Sequence, residues 1–171
     1  MQSRREAIRI LEEGRARIED LLDRLPRAAM TAVGVGGGDW SPQDLIGPLA
    51  SWEEYGLDAL AAWRRGERAP IDELQFTLST SRLNDQAVAA KAGWTLPKVR
   101  RDASRVHEEL LAEIHTMSDA RWRAPTTPRG RKPLGIRLGA ILQGSGGAHF
   151  AHDAAHVKSL SSFVKTHAPE R

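Results

Sequence analysis

GDWSPQDLIGPLASWEEYGLDALAAWRRGE, residues 38–67, is the stretch that decides how this chain is read. Ser41 is a good N-cap, and Pro42 suits the first helical position, where the amide has no partner inside the helix anyway. Asp44 brings a carboxylate to the positive end of the helix dipole. Leu45, Leu49, Trp52, Leu60 and Trp63 then recur on one stripe, and Gly66 ends the pattern. That spacing predicts a long amphipathic helix with one buried face.

The same periodicity extends in both directions. Upstream, Ser3 and Glu6 form an S-x-x-E capping box, followed by Ile8, Leu11, Ile18, Leu22 and Leu25 at helical spacing up to Pro26. Residues 27–40, including TAVGVGGGD, read as a flexible loop. Downstream, a polar connection containing Pro70 leads to a shorter helix from about Arg82 to Ala92, with Leu83, Ala87 and Ala90 inward. Thr95 caps a helix whose stripe is Val99, Ala103, Val106, Leu110, Ile114 and Met117. Residues 121–135 read as a Pro-, Gly- and Arg-rich loop that stays basic to Arg137. A short helix is expected over Ile136 to Leu142 and a final helix from about Ala148 to Lys165, with 166–171 as a tail. Alternation of period two is nowhere sustained, so the fold class is all-α: a four-helix bundle with additional short helices.

Length and composition agree. The 171 residues suit one domain over 1–171, and 40% apolar with 27% charged residues is ordinary for a globular protein. No apolar run is long enough for a membrane span, and MQSRREAIRI lacks the apolar segment of a secretory signal. Without cysteine there is no disulfide, thiolate ligand or cysteine nucleophile, and a cytoplasmic location is expected. The net charge of +3 is modest. RWRAPTTPRGRKPLGIR is rich in cations, but nucleic-acid binding calls for interleaved aromatics and only Trp122 is present. A solvated loop or a lid over an anion-favouring pocket is the more economical reading, and no nucleic-acid or membrane partner is expected.

The 38–67 stretch resembles the W-[ST]-x-x-D-L-L-x-H-L-x-x-W opening of the DinB-like four-helix bundles, with Trp40, Ser41, Asp44, Leu45, Leu49 and Trp52 on the pattern. SRLNDQ and VRRDASRVHEELLAEIHTMSDARW are similar to the middle of the ClbS/DfsB branch, and HFAHDAAHVKSLSSFV is similar to its H-Y-x-x-H close. The resemblance covers roughly residues 3–165. It implies one of two chemistries. Metal-binding members hold a divalent ion such as zinc or nickel with one histidine from the second helix and an i, i+4 pair from the last, and act as thiol-dependent transferases or isomerases. The ClbS/DfsB branch includes self-resistance by hydrolysis of an electrophilic cyclopropane without that triad. Here the second-helix histidine falls on Pro48, which offers no ligand, so His152 and His156 remain as a pair. No resident cofactor is therefore expected, and a divalent metal stays an alternative. Homodimerisation is implied by the resemblance alone.

Three of the six histidines, His149, His152 and His156, crowd into GAHFAHDAAHVKSL. On one helix they span an arc of about 60°. His152 and His156 are one turn apart, a spacing that grips transition metals, whereas His149 is too far along the axis to share an ion with His156. Asp44 or Asp153 would complete a metal site, although Asp44 already caps and Asp153 is readable as solvated. Without metal, a histidine exchanges protons near neutral pH, and a carboxylate from Glu54 or Glu53 would orient it or activate water. Glu-Glu on an amphipathic helix is equally readable as a solvated face. His152, His156 and Glu54 are the candidate catalytic residues. Trp40, Trp52, Tyr55, Asn84 and His149 are the candidate substrate contacts, with core or capping roles as the plainer readings. His107 matches a family histidine at the core edge, His115 is expected on the surface, and His167 in a fraying tail.

The leading expectation is a small enzyme that converts or detoxifies a reactive small molecule by hydrolysis or ring opening, as in self-resistance. The alternatives are a metal-dependent thiol transferase or isomerase and a non-enzymatic protein that sequesters its ligand.

Overall fold

The computed structural model describes residues 1–128 and 130–168. Four long helices carry the architecture: α1 (Arg4–Asp23), α2 (Pro42–Arg64), α5 (Leu96–Thr116) and α8 (His152–His167). α2 lies along α5 and α1 along α8, and the α1–α5 and α2–α8 contacts close the bundle. The short helices α3 (Pro70–Thr77), α4 (Thr80–Lys91) and α7 (Leu134–Ile141) pack on α2, with α6 (Asp119–Arg123) against α7. Among the described residues there is no strand, only an isolated bridge between Pro125 and Pro133. None of the helices is long and apolar enough to cross a membrane.

Of the caps read from the sequence, those of α1 and α2 form, whereas Thr95 stands at the N-cap of α5 without a side-chain hydrogen bond and Glu6 does not return the bond to Ser3. Ser41 and Asp44 make a reciprocal capping box at the start of α2, and the Ser3 hydroxyl accepts from the Glu6 amide. α2 continues through Pro48 as one element. Other expectations are corrected. The connection around Pro70 is the helix α3, because Pro70 stands at its first turn and Ile71 is buried. Residues 27–40 hold two short 3-10 turns anchored by buried Met30 and Val35, with the Gly34 and Val35 amides both donating to the Trp40 carbonyl. This is an ordered connection. Residues 121–128 and 130–135 are likewise tethered. Trp122 is buried, stacks on Phe150 and donates to the Gln2 carbonyl, while α6 and α7 take up both ends of the segment. α8 extends to His167, and residues 169–171 of the expected tail lie outside the described residues.

The apolar core divides into two clusters along the bundle axis. One gathers Leu11, Trp52, Leu60, Leu110, Ile114 and Phe150, and the other Ile18, Leu49, Ala103 and Leu160. Between them each long helix places a polar residue at a buried position: Arg15 on α1, Glu53 on α2, His107 on α5 and Asp153 on α8. This polar layer sits beside the cleft that contains the histidine pair.

Candidate functional site

The cleft lies between α2, α4, α7 and α8 and has a volume of about 250 Å³. Trp52, Ile141, Ala140 and Ala155 form apolar wall, and Asn84, Thr80, Gln75, Gln143, His152 and His156 supply polar groups. An apolar enclosure with a few convergent polar side chains is the usual composition of a small-molecule site. Trp52 Nε1 donates to Asn84 Oδ1 at 2.7 Å, which fixes both on the cleft wall. The indole lies 5.6 Å from the His152 ring, and the His152 and His156 rings are 5.1 Å apart, edge to face. Burial first, and then repulsion by His152, lowers the His156 pKa to about 4 against a weaker opposing pull from Asp153. At neutral pH His156 is an uncharged imidazole.

α8 starts later than the histidine spacing implies. Phe150 has φ 63°, a left-handed conformation that bulky residues seldom adopt, and the His152 amide donates to the Leu142 carbonyl. His152 is therefore the first residue of α8, and His149 lies before it in the turn. The expected arc of three histidines is reduced to two. The His149 ring lies edge-on to Phe150, and the side chain presses on Gly139, away from the cleft lining. Gly144, on the cleft edge, permits this turn, because a β-carbon there would collide with the Ala151 carbonyl.

Behind the cleft, Arg15 donates through Nε to Asp153 Oδ2 at 2.6 Å, and through its Nη atoms to Glu53 Oε2 at 2.9 Å and the Ala103 carbonyl at 3.2 Å. The other Glu53 oxygen faces His107 Nδ1 at 2.6 Å. The other Asp153 oxygen lies 3.5 Å from His152 Nδ1, at the outer limit of a hydrogen bond. Burial alone would raise the Asp153 pKa, but the Arg15 charge and then His152 overcome it and hold the carboxyl well below the usual range. Arg15 is raised in turn, since Asp153 and Glu53 outweigh its desolvation.

Of the residues singled out in the sequence, the structure brings Trp52, Asn84, His152 and His156 together. Glu54 is elsewhere. It is half-exposed, 3.9 Å from Arg105, with its pKa raised by burial against the pull of Lys91. Its neighbour Glu53 is the buried carboxylate, only 2% exposed, so the solvated-face reading fails for that residue. Asp153 is likewise buried rather than solvated. Tyr55 packs edge-on to Trp52 at 5.5 Å, and burial followed by the nearby Glu54 and Asp58 raises its pKa, but it does not line the cleft. Trp40 is half-buried against the second apolar cluster. His107 is buried and His115 exposed, as read, whereas His167 is the last residue of α8, its ring stacked on Phe163 at 3.9 Å, and not part of a tail. Arg15 was not singled out at all. Its signal was a lone cation on the Leu11–Ile18–Leu22 stripe.

The donors for a metal do not fit the three-ligand pattern. Asp44 accepts from the Ser41 amide and hydroxyl at 2.9 and 2.7 Å, Asp153 is held by Arg15, and Pro48 has no donor. Among the described residues no three His, Asp or Glu side chains group as a metal site. A roomier cleft of about 660 Å³ lies beside the start of α1, lined by Arg4, Arg5, Glu12, His115 and Asp119. Its principal cation is already spent, since Arg4 holds Asp119 and the carbonyls of Ile114 and His115.

Comparison with known proteins places this geometry in context. The DinB superfamily profile matches residues 10–157. No curated protein matches. Among solved structures, an uncharacterised protein from Escherichia coli UTI89 superposes with a TM-score of 0.77 at 13% identity, over 97% of this chain and 95% of that one. The colibactin self-resistance protein ClbS, solved in complex with a dsDNA, superposes with a TM-score of 0.71 at 15% identity, over 96% and 95%. At such identities the likeness establishes the fold.

Proposed function

The chain belongs to the DinB superfamily, and on that premise we propose that it is a small cytoplasmic enzyme of the ClbS/DfsB type that detoxifies a reactive small molecule by adding water across a strained, electrophilic bond. The observation that carries this reading is the cleft in which His152 and the uncharged His156 face an aromatic wall and Asn84. Apolar wall holds the carbon skeleton of a ligand, and the amide and imidazole groups orient its polar atoms. In the reaction a histidine accepts a proton from water as the oxygen bonds to the electrophilic carbon. The strained ring bond breaks, and the same proton passes to the atom that leaves. Positioned proton transfer of this kind contributes about 10²–10⁴-fold to rate.

The test is incubation of the purified full chain with a panel of small epoxides and activated cyclopropanes, read by mass spectrometry for the gain of one water. His156→Ala is expected to abolish that gain while helicity and melting stay near wild type. Retained turnover in this variant removes His156 from the reaction. A ligand that binds tightly and keeps its mass after long incubation favours sequestration instead. A stoichiometric zinc or nickel ion in protein purified without a histidine tag revives the thiol-transferase reading. ClbS was solved with a dsDNA; here the one aromatic of the basic stretch, Trp122, is buried and offers bases no stacking face.

A further inference from the structure

Within the reading of the cleft as the reacting site, we propose that Arg15 is a positioning residue: by holding Asp153 as a charged acceptor it sets the proton of His152 on Nδ1 and leaves Nε2 bare for the cleft.

Three independent features converge on this. The first is an accounting of buried polar atoms. His152 Nδ1 is shut off from solvent and has no hydrogen-bond partner at ordinary distance. Buried polar atoms are nearly always paired, and the acceptor facing this one is Asp153 Oδ1 at 3.5 Å. The second is the direction open to a hydrogen bond between the two. Asp153 gives its other oxygen to Arg15 Nε at 2.6 Å, and an ionised carboxylate can only accept. When they pair, Nδ1 is the donor, and a neutral imidazole that donates from one nitrogen accepts at the other. The third is a backbone arrangement that brings the two helices together. A β-carbon on Gly14 would lie 3.3 Å from Asp153 Cβ and 3.4 Å from the Ala154 nitrogen, so glycine beside Arg15 lets the start of α8 approach α1 closely.

The same guanidinium orders a second histidine. Arg15 holds Glu53, whose free oxygen faces His107 Nδ1 at 2.6 Å. The ionisable groups around the layer are Arg15 and Glu19 from α1, Glu53 from α2, His107 from α5, and His152, Asp153 and His156 from α8. Two carboxylates share one guanidinium, so donation from both histidines is what satisfies the remaining oxygens. Without Arg15 the Asp153 carboxylate loses the 2.6 Å contact that fixes its second oxygen, and Nδ1 no longer faces a held acceptor. The cleft-side nitrogen is then free to carry the proton where the reaction needs a base.

The experiment reads the tautomer directly, by ring-nitrogen NMR shifts of the full chain labelled with ¹⁵N-histidine at neutral pH. His152→Gln identifies the signal by its loss. Wild-type His152 is expected as the Nδ1–H form with Nε2 unprotonated. In Asp153→Asn, Arg15 Nε claims the amide oxygen and turns the NH₂ toward Nδ1, so His152 is expected to invert to the Nε2–H form. Arg15→Met is expected to weaken the Nδ1–H preference of both His152 and His107. A wild-type His152 that is Nε2–H or doubly protonated overturns the proposal, as does an unchanged tautomer in Asp153→Asn. If Arg15→Met does not fold, Asp153→Asn still decides, because Arg15 orients the amide there. The readout is independent of turnover. A bare Nε2 in a protein that adds water to no electrophile keeps the positioning role and removes the hydrolytic reading.

Discussion

Arg9 and Arg15 stand on the same helix and form ion pairs of the same length, Arg9 with Glu13 and Arg15 with Glu53, both at 2.9 Å. Their surroundings differ. The side chains of Arg9 and Glu13 are 57% and 51% exposed, whereas those of Arg15 and Glu53 are 6% and 2% exposed. On the outer ridge of α1 water already solvates both charges, so the pair gains little by meeting. In the polar layer each charge has lost its water, and each is tolerable only because the others are present. Equal distance therefore says nothing about equal worth. Removing one buried member leaves an uncompensated charge, and removing an exposed one leaves a hydrated ion.

The widest gap is expected from Glu53→Ala, which takes the buried partner from His107 Nδ1 and from one Arg15 Nη while Arg15 keeps Asp153 as its only carboxylate. A loss of about 3–5 kcal/mol in urea unfolding is expected, the usual cost of breaking a buried pair by deleting one partner. A loss below about 1 kcal/mol would mean that water reaches the layer and that the contrast with the surface is false.

Next in size is the pH dependence. His156 is held at about 4 when folded, against about 6.5 for an unfolded histidine. Between those values the unfolded chain binds the proton and the folded chain does not. Stability is therefore full above about pH 6.5 and declines as pH falls toward 4, by about 3 kcal/mol at most. Asp153, depressed when folded, adds a second loss that begins as pH drops through the ordinary carboxylate range near 3.9. Unfolding free energies of His156→Asn should show a flattened slope across pH 4 to 6.5, with the step below about 3.9 retained. An unchanged slope would assign the acid lability to other groups.

The smallest effect belongs to the outer ridge. Arg9→Ala should change stability by no more than about 0.5 kcal/mol, and added salt should erase the difference, as for other i, i+4 pairs on exposed helices.

The histidine pair and the buried layer also differ in how plainly they were written. His152 and His156 were legible because they are identical residues one turn apart, and Trp52 and Asn84 because they fall on a pattern. The layer was legible only as exceptions. Arg15 interrupts Leu11–Ile18, Glu53 interrupts Leu49–Leu60, His107 interrupts Ala103–Leu110, and Asp153 lies seven residues before Leu160. A single polar residue on an apolar stripe reads as noise, and four become a signal only once the helices are aligned. Glu54, one position from Glu53, was the natural choice for a carboxylate facing the cleft. A turn of about 100° per residue puts it on the other side, toward Arg105.

By itself, then, the sequence determined the four long helices, the N-caps of α1 and α2, the inward stripes, the all-α class and the one-turn histidine pair. These follow from local backbone chemistry and a 3.6-residue period, which need no knowledge of neighbours. Only the tertiary structure decided that α8 begins at His152, that His149 drops out of the cleft, and that Glu53 rather than Glu54 turns inward. It alone showed that Arg15 ties all four helices into one charged layer. The register of one helix against another, and the loss of water from a charge, are properties of the packed whole.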